Sequence, residues 1–98
     1  MARLVVSDRA DLDFSAIVEM LRDKAGADVA ARYRQNIDDV FERLAMFPKS
    51  GMPRPKMGRD VRIAVVSPYI VFYEYRRDVI ILRILDGRRN ITSRLVRG

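Results

Sequence analysis

Apolar positions along this chain keep one rhythm as far as Phe47 and a different one from Val61 onward. Phe14, Ile17, Val18, Leu21 and Ala25 fall at i, i+3, i+4, i+7 and i+11, which is one face of an amphipathic helix. Ser7 and Asp8 precede that stripe, and either is suited to cap the helix. Gly26 is a natural stop, because glycine tolerates the left-handed conformation. A second helix is predicted from Ala27 or Asp28. Its stripe is Val29, Tyr33, Ile37, Val40, Phe41, Leu44 and Phe47, about five turns long, and Pro48 ends it. So short a link between the two predicts an antiparallel helical hairpin. Ahead of both, residues 2–6 carry apolar and β-branched side chains and predict a short first strand.

Residues 48–58, PKSGMPRPKMG, hold three prolines and two glycines, and predict an ordered loop without regular structure. After it the period becomes two. Residues 61–66, 69–75 and 79–85 read as three strands, separated by Ser67-Pro68 and by Arg76-Arg77-Asp78, so hairpin links and antiparallel pairing are expected. In the last of these runs, strict alternation places Ile80, Leu82 and Ile84 on one face. Val79, Ile81, Arg83 and Leu85 take the other. Both faces are largely apolar, as in a central strand covered on more than one side. Ile91, Leu95 and Val96 are placed to anchor a short final element. The expected architecture is α+β in the order β-α-α-β-β-β, a helical hairpin packed on a twisted antiparallel sheet, as one domain over residues 1–98. The first strand is expected within that sheet, since alone it would leave its backbone groups unsatisfied.

Composition narrows the chemistry. The 98 residues are 49% apolar, enough for one core. A chain this short buries only about 60% of its unfolded surface, so marginal stability and a gain from a bound partner are expected. There is no cysteine, which excludes disulfides and thiolate metal sites. There is no histidine, which removes the usual general base near neutral pH. Asp8, Asp11 and Asp13 crowd a helix start, where the macrodipole favours negative charge, and do not read as a metal site. No metal and no cofactor is implied. The N-terminal apolar run is too short for a signal peptide, and no run approaches the ~18 residues of a membrane span; a soluble cytoplasmic protein without membrane contact is expected. The net charge of +6 is unevenly spread. Residues 1–47 hold seven Lys/Arg against nine Asp/Glu, a net of −2, and residues 48–98 hold twelve against four, a net of +8. Such a field favours nucleic acid, an acidic protein or an acidic tail, without choosing among them.

A set of landmarks then runs through the chain in order: Ala10-Asp11-Leu12, Gly26 with Ala30 and Tyr33, Leu44 with Phe47-Pro48, Gly51, Arg54-Pro55, Arg62, Tyr69-Ile70-Val71-Phe72-Tyr73, and Ile81-Leu82-Arg83-Ile84-Leu85 leading into Gly87-Arg88-Arg89. Over nearly the whole length this resembles the ParE branch of the ParE/RelE toxin superfamily. The resemblance implies a type II toxin made with a small ParD-like antitoxin. ParE-like members are similar to proteins that poison DNA gyrase, and RelE-like members cut messenger RNA on the ribosome. Metal-free RNA cleavage needs a base, cations for the phosphorane charge and an acid. Relatives that cleave RNA draw on Lys, Arg, Glu, His and a C-terminal Tyr. Here Asp86 stands where many relatives have His, and the last tyrosine is Tyr75. A gyrase-binding inhibitor without catalysis is therefore expected. A ribosome-dependent endoribonuclease is the alternative, and a nucleic-acid-binding module outside any toxin system is a third option.

Each candidate residue carries a bland reading beside the functional one. Arg62 and Arg83 lie in runs read as strands and are expected to project near each other from one sheet face; with Arg88 and Arg89 at the strand exit they form the expected target-binding set. The plain alternative is ion pairing at the sheet edge and a solvated turn. Phe14, Ile17, Leu21, Tyr33, Ile37 and Phe41 are the expected antitoxin groove, in which a helix would use i, i+3, i+4, i+7 anchors, giving a toxin–antitoxin hetero-oligomer. Tyr69, Phe72, Tyr73 and Tyr75 read mostly as core. Lys49, Arg54, Lys56 and Arg59 sit in the Pro/Gly-rich loop, free to contact a partner.

Overall fold

Ser7 opens the first helix in the computed structural model, which describes all of residues 1–98. Its Oγ accepts the Ala10 N–H at 3.1 Å, satisfying one of the amides a helix start leaves unpaired. Helix α1 runs Asp8–Ala25 and α2 runs Ala27–Met46. Gly26 between them has φ +94°, a backbone conformation that side-chain-bearing residues rarely adopt, and serves as the stop of one helix and the start of the other. Helix α2 ends at Met46, so Phe47 lies just beyond it and is 61% exposed rather than part of the buried stripe. No helix is long and apolar enough to cross a membrane.

Strands β1 (Leu4–Val6), β2 (Met52–Pro53), β3 (Val61–Val66), β4 (Tyr69–Tyr75) and β5 (Val79–Asp86) form one sheet in the order β1-β5-β4-β3-β2. The α+β class and the strand–hairpin–strands order stand as expected. Three details differ. The sheet is mixed, because β1 pairs parallel with β5 while the β2–β5 pairings are antiparallel. The loop is not without regular structure. Met52 and Pro53 pair with Ile63 and Arg62, and Pro55–Met57 form a 3₁₀ turn; proline is tolerated there because β2 is an edge strand. The alternation along β5 also breaks. Phe72 faces Arg83 but Tyr73 faces Ile81, which leaves Leu82 as the extra residue of a β-bulge. Ile84 consequently joins Val79 and Ile81 on the helix side, and Leu85 joins Leu82 on the other.

The sheet is covered on both sides, so there are two cores. On the helix side Ala10, Ile37, Val40 and Leu44 pack against Val71, Tyr73, Val79, Ile81 and Ile84. Phe14 meets Phe41 and Tyr33 meets Tyr69 edge-to-face, with ring centroids 6.0 and 5.8 Å apart. On the other side Val61, Ile63, Phe72 and Leu85 are closed over by Val96, with Ile91 and Leu95 packed around it. Val96 and Leu95 belong to α3 (Ser93–Arg97), the anticipated final element. A five-residue helix does not persist in water alone. This one is held by the Thr92 cap, by burial of Val96, which contributes about 1.5–3 kcal/mol for a side chain of this kind, and by an arginine from β5.

Candidate functional site: arginines, hairpin and exit turn

The four expected target-binding arginines take three different roles. Arg83 is only 8% exposed. Its Nε and Nη2 donate to the two carboxylate oxygens of Asp13 at 2.7 and 2.9 Å, and its Nη1 donates to the Leu95 carbonyl at 2.8 Å. Hydrogen bonding to the Asp13 carboxylate raises the Arg83 pKa above the ordinary guanidinium value, against the opposing pull of burial. Asp13 also accepts the Ile84 N–H at 3.0 Å, just past the bulge. Arg83 thus ties α1, β5 and α3 together.

Arg62 holds the loop. Its Nη1 donates to the carbonyls of Lys49 (3.1 Å) and Gly51 (2.7 Å). The neighbouring Tyr73 hydroxyl donates to the Pro48 carbonyl and accepts the Gly51 N–H. Any side chain at Gly51 would overlap the Tyr73 ring and stand 2.7 Å from the Ile63 carbonyl, so only glycine fits. Burial pushes the Tyr73 phenol pKa up. Arg62 pairs across the strands with Tyr73, on the helix side, whereas Arg83 pairs with Phe72, whose ring lies in the opposite core. The two arginines therefore do not converge on one sheet face as expected; the pleat sends them to opposite sides.

Arg88 and Arg89 do stand together at the exit of β5, both exposed. The backbone N–H and Nε of Arg88 each donate to Asp86 at 2.9 Å, and its Nη2 donates to the second carboxylate oxygen. These bonds hold the Asp86 carboxyl down at about 2, with Arg89 adding to the field. The Asp86 contact in turn raises the Arg88 pKa. Arg89 takes part in none of the four ion pairs and is the free cation of the turn. The Tyr69 phenol beside this turn is pushed up, first by burial and then by Asp86.

The hairpin stripe mostly faces inward. Ile37 is fully enclosed and offers no surface, whereas Phe14, Ile17, Leu21, Tyr33 and Phe41 are half-buried against the helix-side core. Ile17 nonetheless lines a groove of about 240 Å³ between α1 and the exit turn, together with Ala16, Met20, Tyr69 and Arg89. One residue of each expected set, Ile17 and Arg89, thereby shares one groove. The residue missed in the sequence reading is Asp13. Its signal was position: it precedes Phe14 and stands four residues before Ile17, so an acid sits on the sheet-facing side of α1 and requires a partner there. No three carboxylates gather where a metal ion would be held.

A helical hairpin on one side of a five-stranded sheet, a short C-terminal helix on the other and two adjacent arginines at the strand exit together define a small two-sided α+β protein with a cationic turn. The fold is shared with a chain of the structure described as the chromosomal ParDE TA system from P. aeruginosa, with a TM-score of 0.73 and 24% identity, covering 86% of this chain and 94% of that one. The family model described as ParE toxin of type II toxin-antitoxin system, parDE, matches residues 4–91. Toxin ParE3 of Caulobacter vibrioides is 33% identical over 96 residues, which is 97% of this chain and 96% of that protein. The chain belongs to the ParE toxin family.

Proposed function

We propose that residues 1–98 act as one toxin domain that inhibits DNA gyrase in the cytoplasm by binding rather than by catalysis, and that a ParD-like antitoxin silences it in a toxin–antitoxin hetero-oligomer. The observation that carries the non-catalytic reading is the state of Arg83. The cation best placed in the C-terminal strand to stabilise phosphorane charge is already saturated by Asp13 and the Leu95 carbonyl. Arg62 is likewise committed to the loop carbonyls. Arg83 is therefore not presented to an incoming phosphate, and there is no histidine to move a proton.

Of the four expected arginines, those left for a target are Arg89 and, when it leaves Asp86, Arg88. Arginine suits such a surface because its planar fork bonds carboxylates or phosphates in bidentate fashion. The antitoxin reading follows from the groove beside them. A partner helix with apolar groups on Ile17 and Met20 would bring an acidic side chain to Arg89. Half-buried Phe14, Leu21, Tyr33 and Phe41 extend the contact along the hairpin, and the same segment would then cover the target-binding cation. A supercoiling assay with purified protein and gyrase tests the reading. Dose-dependent loss of supercoiling, relieved by the antitoxin, is expected. Codon-specific messenger RNA ends in primer extension after induction, with gyrase unaffected, would replace it with ribosome-dependent cleavage.

A further inference from the structure

At the other end of β4 from the exit turn lies a surface that none of the roles above uses. Tyr69 borders the groove beside Arg89, and Tyr75 borders this second surface. They are six residue steps apart along the strand, roughly 20 Å. The second surface has two adjoining parts. One is a shallow, open pit of about 540 Å³ between Met46, Phe47, Pro48 and Tyr75. The other is a cleft of about 380 Å³ that holds Lys49, Arg59, Arg62 and Arg76 around a single acid, Asp60. Lys49 and Tyr75 line both, so the two parts are continuous.

The pit is there because α2 stops before its apolar run does. Pro48 ends the helix, and Met46 and Phe47 are left 55% and 61% exposed. Its floor is fixed rather than loose. The Tyr73 hydroxyl and Arg62 Nη1 bind the carbonyls of Pro48, Lys49 and Gly51, which pins the loop that carries the rim. Met46 and Phe47 together leave adjacent apolar surface on this fixed rim, open to a partner's side chain. In the cleft Arg76 is paired with Asp60, and Lys49 and Arg59 enter no ion pair.

We propose that this surface is a docking site for an acidic peptide segment that carries one large apolar side chain. The side chain fills the pit, and carboxylates on either side of it meet Lys49 and Arg59. In an extended peptide, residues two apart lie on one side about 7 Å from each other, which suits adjoining sites. An apolar anchor in a pocket with cations at its rim is the arrangement that concentrates binding energy in protein interfaces. A nucleic acid strand, with phosphates on the same cations and a base against Phe47, is the competing occupant that the test separates.

The test uses the full chain and three fluorescent probes at physiological salt: a short polyglutamate peptide with one central phenylalanine, the same peptide with alanine in its place, and a single-stranded oligonucleotide. Neither gyrase nor antitoxin is present, so the outcome is separate from that of the gyrase reading. Saturable binding of the phenylalanine peptide is expected, with the alanine peptide about tenfold weaker. Phe47→Ala alone, and Lys49→Glu with Arg59→Glu, should each weaken it about as much while the melting curve is unchanged, since these side chains are exposed. Equal binding of the two peptides, or binding that survives Phe47→Ala, would reduce the surface to a diffuse positive field. Absence of saturable peptide binding overturns the proposal, as does oligonucleotide binding that depends on Phe47 where the peptides fail.

Discussion

Two arginine–aspartate pairs, built from the same groups with similar bidentate geometry, do opposite things in this molecule. Arg83 meets Asp13 across 70 positions of sequence, in the junction where α1, β5 and α3 come together. Arg88 meets Asp86 two residues away, on an exposed turn. The first pair is out of water on both sides, its side chains 10% and 15% exposed. Its desolvation is recovered only because every charged group there has several partners, including the Leu95 carbonyl and the Ile84 N–H. The second pair is solvated, cheap to break and close to a free cation, Arg89. The contrast teaches that the positive half of this chain is not one surface. Part of its charge is consumed in holding the sheet to its helices, and only the remainder faces outward.

Breaking the interior pair gives the largest expected effect. Asp13→Ala leaves the Arg83 guanidinium and the Ile84 N–H without their partner, and urea unfolding should show a loss of about 3–5 kcal/mol. Replacing both members together, Asp13→Leu with Arg83→Met, should recover most of that loss, because no orphaned charge remains. If Asp13→Ala costs no more than an ordinary surface change, the junction does not hold the fold.

The exit turn should respond in the reverse sense. Arg88→Ala with Arg89→Ala is expected to leave stability within about 1 kcal/mol while the proposed gyrase inhibition, and toxicity with it, falls. Full toxicity and full antitoxin sensitivity in that variant would make the turn a solvated surface and shift the working contact to the hairpin. The smallest effect is on titration. Asp86 is held at about 2, below the ordinary carboxylate value of about 3.9. A carboxyl whose pKa is depressed on folding contributes stability above its unfolded pKa and loses it as pH falls through the folded one. The contribution should therefore be constant at neutral pH and disappear only between about pH 4 and pH 2. Carboxyl NMR titration of Asp86 checks this, and Arg88→Ala should return its midpoint toward the ordinary value.

Much of the architecture was legible before any coordinates. Ser7, Gly26 and Pro48 bound the two helices where their chemistry says they should, and the strand limits at 61–66 and 69–75 coincide with the observed ones. Caps, breakers and apolar periods act over a few residues, so they are written locally. The site was less legible. Arg62 and Arg83 look alike in sequence, each one cation within an apolar run. The inward stripe of the hairpin does not announce which of its members keep an outer edge, and Ile37 keeps none.

The sequence by itself determined the order of the main helices and strands, the helix ends, the two-sided burial of the last long strand and the concentration of positive charge after residue 48. Each follows from local periodicity or from counting. Only the tertiary structure decided that β1 joins the sheet in parallel, that a bulge at Leu82 turns Ile84 toward the helices, and that Asp13 rather than solvent receives Arg83. Those outcomes depend on groups far apart in the chain. Pairing register and the neutralisation of a buried charge are settled by whichever distant partner packing brings within hydrogen-bond reach, and no local pattern encodes that distance.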